Sequence, residues 1–167
     1  MKKTFTLLKL LIACAVLLCS CGSKNAYRSD VECSKITDAL EKEMATEGGY
    51  VHYGETELGY IFGDDISLAT DRSVAFSLLS ENIDEFGIFK TDNDKNAREL
   101  ADECREYIEE KYENENAFIA SYAPEELPKL RDAEVKVFGN YVAFAILDEN
   151  DRAAFFEKVE EMLKADG

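Results

Sequence analysis

The chain has 167 residues, 35 acidic against 19 basic, for a formal net charge of −16. That length suits one ordinary domain and not two. A field of this sign repels phosphate backbones and anionic headgroups, so nucleic acid is not an expected partner.

Lys2, Lys3 and Lys9 precede an unbroken apolar run from Leu10 to Cys19. A spanning helix needs about 20 such residues to cross about 30 Å of hydrocarbon, and this run is half that. It matches instead the core of a secretory signal behind a positive n-region. Leu18-Cys19-Ser20-Cys21 follows, with a small residue just before Cys21 and an aliphatic one three before it. That spacing resembles the bacterial lipobox. The resemblance implies a diacylglycerol on the Cys21 thiol and loss of residues 1–20 as a lipoprotein signal peptide, Cys14 and Cys19 with them. Acyl chains contribute about 0.8 kcal/mol per buried CH₂, so two or three would hold the protein on its membrane. The expected location is therefore the extracytoplasmic face of the cell membrane, lipid-anchored; the alternative is a soluble secreted protein cut nearby. Loss of Lys2, Lys3 and Lys9 leaves 16 basic against 35 acidic residues, a net −19. Such a surface solubilises the domain, or attracts a cationic ligand or basic protein.

Residues 21–28 read as the lipidated N-terminus and a short polar tether, and 29–167 as a single acidic domain. Ser29-Asp30-Val31-Glu32 has the spacing of a capping box and predicts a helix start. Cys33, Ile36, Leu40 and Met44 give that helix one apolar stripe, and Gly48-Gly49 ends it. Residues 50–65 are rich in glycine and aromatics, with Tyr50, Tyr53, Tyr60, Phe62 and the only histidine, His52; this is the least regular stretch. Val74, Phe76 and Leu78 alternate with Ser73, Ala75 and Ser77, a strand pattern, and Phe86, Ile88 and Phe89 mark another. Thr91 to Asp94 supplies cap residues for a long helix whose buried face is Ala97, Leu100, Ala101, Cys104, Ile108 and Tyr112. Ser121 to Leu130 reads as a capped short turn, with Pro124 acceptable in a first helical turn. Gly139-Asn140 then joins Val135–Phe138 to Tyr141–Ile146 as a tight hairpin. This predicts the pairs Phe138 with Tyr141, Val137 with Val142 and Val135 with Phe144. Val135, Val137, Val142, Phe144 and Ile146 share a face that must be core. Asp148 to Asp151 caps a last helix, with Phe155, Phe156, Val159, Met162 and Leu163 inward.

The order α-ββ-α-ββ-α indicates an α+β fold, an antiparallel sheet of about four strands with helices packed on one face. Ala75-Phe76-Ser77, Asp84 to Lys90, Tyr122 to Leu127, and Ala133-Glu134 through Gly139-Asn140-Tyr141-Val142 resemble the bacterial lipoprotein family of domain of unknown function 4358. The resemblance covers roughly 73–165 and leaves 46–72 outside. It implies location and fold but no activity, cofactor or catalytic residue.

No cluster forms a recognisable reaction centre. The sequence has no nucleophile elbow, phosphate-binding loop, C-x-x-C or zinc spacing. Asp92, Asp94, Asn96 and Glu103 fall on a calcium-loop template, but Ala97 stands where glycine is required, so no metal and no cofactor are expected. Cys33 and Cys104 are the thiols left after lipidation. A disulfide between the first two helices is one reading, and two buried free cysteines the other and preferred one. A cysteine nucleophile with His52 is the easy route to covalent catalysis, and both cysteines read as buried. The candidate binding surface is Tyr50, His52, Tyr53, Tyr60 and Phe62 with the Phe138 and Tyr141 face of the hairpin, unless packing covers it. The expected function is a non-enzymatic binding or accessory module of the cell envelope, its partners the membrane and an unidentified envelope protein or ligand. The alternative is an envelope hydrolase using a carboxylate pair near the aromatic loop, Asp64 or Asp65 with Glu85.

Overall fold

The computed structural model of the chain describes residues 27–44 and 48–165. The signal sequence and Cys21 lie outside the described residues. The elements in order are α1 (Cys33–Glu43), β1 (Tyr50–His52), α2 (Glu55–Phe62), a 3₁₀ turn (Gly63–Leu68), β2 (Ala69–Ser77) and β3 (Glu85–Thr91). There follow α3 (Asp94–Tyr122), α4 (Leu127–Arg131), β4 (Glu134–Phe138), β5 (Tyr141–Ile146) and α5 (Glu149–Leu163). The strands form one antiparallel sheet in the order β1-β2-β3-β5-β4. The fold is thus α+β with five strands, one more than the pattern predicts, the extra one being β1 at an edge.

Helices cover both faces of this sheet, not one. Under α1 and α5 lie Ala75, Phe86, Ile88, Tyr141, Ala143 and Ala145; under α2 and α3 lie Val74, Phe89, Val142 and Phe144. The reason is visible in the strands. Every residue of β5 is buried, as is every residue of β3 except Lys90, so their alternation is of large with small side chains, not apolar with polar. Ser73 and Ala75 are small because α1 rests on them. Gly87 is required by the other face: a Cβ there would collide with Phe144 and Val74.

The hairpin has the predicted register, Phe138 with Tyr141, Val137 with Val142 and Val135 with Phe144. Gly139 has φ +61° and no non-glycine residue among those described has a positive φ. Positive φ at the first loop residue only is the II′ pattern, which suits the twist of paired strands. Asn93 caps α3 by accepting from the Lys95 and Asn96 amides, and Asp148 caps α5 by accepting from those of Asn150 and Asp151. The start of α1 differs from expectation. The helix begins at Cys33 without a side-chain bond from its N-cap residue, and the Cys33 amide donates instead to Asp71 Oδ2 of β2 at 2.8 Å. Proline stands in the first turn of α4 as Pro128, while Pro124 lies in the turn before it. Tyr27 and Arg28 belong to the folded body, not to a free tether. Tyr27 bridges to Lys164 and packs edge-on against Phe138, and the Arg28 amide donates to the Leu163 carbonyl at 2.8 Å. Leu78 is exposed beyond the end of β2.

Candidate functional site

The structure disperses the predicted aromatic surface. Phe138 and Tyr141 are buried, covered by the N-terminal segment and the helices of the first face, so they offer no patch. The Tyr141 hydroxyl donates to the Val31 carbonyl at 2.7 Å and accepts from the Val31 amide at 3.0 Å. Burial pushes this phenol up to about 12. Phe62 is buried against Phe89, Tyr107 and Phe144. Tyr50 packs edge-on against Phe86 and donates to Asp84 Oδ2 at 3.3 Å. Residues 50–65 are not irregular: β1 extends the sheet, and α2 forms because Leu58 and Phe62 find the core.

Tyr53 and Tyr60 stay together, and a residue not predicted joins them. With Ile61, Tyr107, Glu110, Lys111, Asn114 and Glu115 they line a cleft of about 360 Å³ between α2 and α3. Tyr53 stacks on Phe76 with centroids 4.3 Å apart, which fixes its ring, whereas Tyr60 is 85% exposed. Tyr107 forms part of the floor. Its hydroxyl donates to Glu85 Oε1 at 2.7 Å, and burial, reinforced by that carboxylate, holds its ionisation far above the usual range. Tyr107 continues the Leu100 and Cys104 stripe at helical spacing, the signal that could have found it. A second groove, of about 490 Å³, runs between α3 and β4, with Ile108, Tyr112, Leu130 and Val135 in its walls.

The buried carboxylates Glu85 and Asp84 are paired with lysines. Glu85, 1% exposed, accepts from Lys111 Nζ at 2.9 Å as well as from Tyr107, so each of its oxygens has a partner. Asp84 takes Lys129 Nζ at 2.7 Å, and Glu126 takes the same nitrogen at 2.8 Å. Asp64 and Asp65 are exposed in the 3₁₀ turn. Cys33 and Cys104 are free, buried and in the clusters on opposite faces of the sheet. Burial raises both thiols far above their ordinary value, with Asp71 adding to the effect at Cys33.

His52 turns away from the cleft toward α1. Its Nδ1 is 3.1 Å from Ser73 Oγ, which is 2.8 Å from Thr37 Oγ1. Its Nε2 is 2.6 Å from Glu41 Oε1, and a carboxylate oxygen of Asp38 completes a group within 4.8 Å. Asp38 and Glu41 were absent from the sequence reading; their signal is the three-residue helical spacing.

Residues 52–147 match the family model described as Domain of unknown function (DUF4358). The chain belongs to the DUF4358 family. The matched span begins at His52, so most of the aromatic stretch is part of the DUF4358 domain, contrary to the expectation that 46–72 lies outside. It takes in all eight residues of the tyrosine cleft, but not Asp38 or Glu41. No curated protein and no solved structure gives a significant match to the chain. Among the described residues no helix is long and apolar enough to cross a membrane.

Proposed function

We propose that this DUF4358 protein is a lipid-anchored extracytoplasmic binding module, held at the cell membrane through Cys21 and taking an envelope ligand in the tyrosine cleft. The observation that carries the binding role is the cleft between α2 and α3, whose lining combines an exposed ring, Tyr60, with two fixed ones, Tyr53 and Tyr107. Its volume of about 360 Å³ lies in the range of small-ligand pockets. Tyrosine rings offer an apolar face at little entropic cost and a hydroxyl for hydrogen bonding, and Glu110, Asn114 and Glu115 add polar groups at the rim. That combination suits the ring of a sugar, stacked on one face and bonded at its edge. The anchor is supported by the basic start, the short apolar core and the spacing of Leu18, Ser20 and Cys21. The carboxylate-pair hydrolase has less support, since both oxygens of Glu85 are taken by Tyr107 and Lys111.

Two experiments test this. Metabolic labelling with a fatty acid should mark the wild type and not Cys21→Ala; equal labelling of both refutes the anchor. Cell-wall oligosaccharides titrated against the ¹⁵N-labelled protein should perturb signals around Tyr53 and Tyr107, and Tyr60→Ala should abolish the response without lowering Tm. Shifts unaffected by Tyr60→Ala would refute the cleft.

A further inference from the structure

We propose that Asp38, Glu41 and His52 form a binding site for a divalent transition-metal ion, zinc being the ion that suits imidazole and carboxylate donors together. Thr37 Oγ1 has two carbonyls within donor reach, Ser34 at 3.1 Å and Cys33 at 3.5 Å, and giving its one hydrogen to either leaves it an acceptor toward Ser73. In that arrangement the 2.8 Å bond between Thr37 and Ser73 carries the hydrogen of Ser73. The 3.1 Å bond between Ser73 and His52 is then donated by His52 Nδ1–H, the tautomer that this arrangement selects. In that tautomer Nε2 is the ring nitrogen beside Glu41 Oε1, a carboxylate oxygen 2.6 Å away. An unprotonated nitrogen and a carboxylate oxygen at that distance repel, so the gap calls for a cation.

A proton or a metal ion would both answer, and the geometry separates them. Glu41 Oε1 is sealed from solvent and accepts no hydrogen bond, so Nε2 stands close to it without the alignment that an N–H···O bond requires. Two donors beside each other without a bond between them can instead share a third atom, once the 2.6 Å pair opens to the spacing of co-ligands. A third donor is at hand in Asp38, and all three donor atoms lie within 4.8 Å of one another. Ligands about 2.1 Å from one zinc stand about 3.4 Å apart at tetrahedral angles, so rotations of the exposed Asp38 and part-exposed Glu41 side chains close the set. The Ser73 and Thr37 hydroxyls fix the tautomer and the ring, as outer partners of metal-bound histidines do. Ser73 is thus a positioning residue. The ion would pin α1 to β1, the short edge strand.

The test is zinc titration of the chelator-treated full-length protein in detergent, read by calorimetry, by Tm and by X-ray absorption. One tight equivalent, with one nitrogen and otherwise oxygen neighbours and a raised Tm, is expected. Asp38→Asn, at an exposed position that leaves the fold intact, and His52→Gln should each weaken that equivalent at least about 100-fold, and Ser73→Ala about 10-fold. Unchanged affinity in Asp38→Asn and His52→Gln would overturn the site. So would equal binding of magnesium, which would mark a diffuse acidic surface, or a wild-type Tm indifferent to zinc, which would leave His52 a simple imidazolium partner of Glu41.

Discussion

On the α3 side of the sheet the rings of Phe62, Phe89, Tyr107 and Phe144 meet at centroid separations of 5.1 to 6.3 Å. On the α1 side rings pack as well, Phe86 against Tyr50 and Phe155, and polar bonds between residues remote in sequence are added to them. Tyr141 reaches Val31, Asp71 reaches Cys33, and Ser73 reaches Thr37. The first face depends chiefly on filled volume, with the Tyr107–Glu85–Lys111 bonds at its border. The second depends on particular atoms, whose loss leaves a buried partner unmatched. The open cleft lies beside the face that tolerates repacking, and the His52 cluster on the face that does not.

The sharpest way to break this contrast is Phe144→Ala, which empties the centre of the ring cluster. A loss of about 3–5 kcal/mol in urea unfolding is expected, and a loss no larger than that of Tyr141→Phe would end the distinction. Lys111→Met leaves Glu85 buried with a tyrosine as its one donor and should cost about 3 kcal/mol, most of it recovered in the double variant with Glu85→Leu. Tyr141→Phe preserves the ring and removes both bonds to Val31. It should cost about 1–2 kcal/mol and speed amide exchange in residues 27–31 with little change in α3.

The smallest effect at neutral pH becomes visible in alkali. Burial raises the phenols of Tyr50, Tyr53 and Tyr107. Burial alone would lower Lys129, but its bonds to Asp84 and Glu126 prevail and raise it. In each case the folded protein holds its proton more tightly than the unfolded chain does. The stabilisation is complete below the unfolded values, about 10 for tyrosine and 10.4 for lysine, and is lost as pH climbs through the folded ones. Tm should therefore be flat to about pH 9 and fall beyond about pH 10, each such group contributing about 1.4 kcal/mol per pH unit in its window. Tyr107→Phe should flatten that fall, and an identical slope in this variant would count against the tyrosine floor of the cleft.

The hairpin was legible in the sequence because its signal is local: Gly139 supplies the turn and strand alternation sets the register. The α3 and α5 starts were legible for the same reason, since Asn93 and Asp148 cap helices that begin next to them. The start of α1 was not, because its cap arrives from Asp71, 38 residues away. Nor was α2, a helix of eight residues containing Gly59, Tyr60 and Ile61, which intrinsic preference does not favour and packing of Leu58 and Phe62 imposes. Helices on the second face escaped notice because Ser73 and Ala75, small and half polar, look like a solvent side when read in line. The candidate sites were half visible: Tyr53, Tyr60 and His52 stood out by type, while Tyr107, Lys111, Asp38 and Glu41 became their neighbours only through the fold.

The bridge between Tyr27 and Lys164, with the Arg28 amide on Leu163, joins the leading segment of the body to the trailing end of its last helix. A pull applied through the N-terminus is met there first, by a contact that can peel one bond at a time. The tyrosine hasp at Val31 comes next, and the five strands feel the strain last. Drag on the molecule would thus be spent in unzipping a short clasp while the sheet keeps its shape.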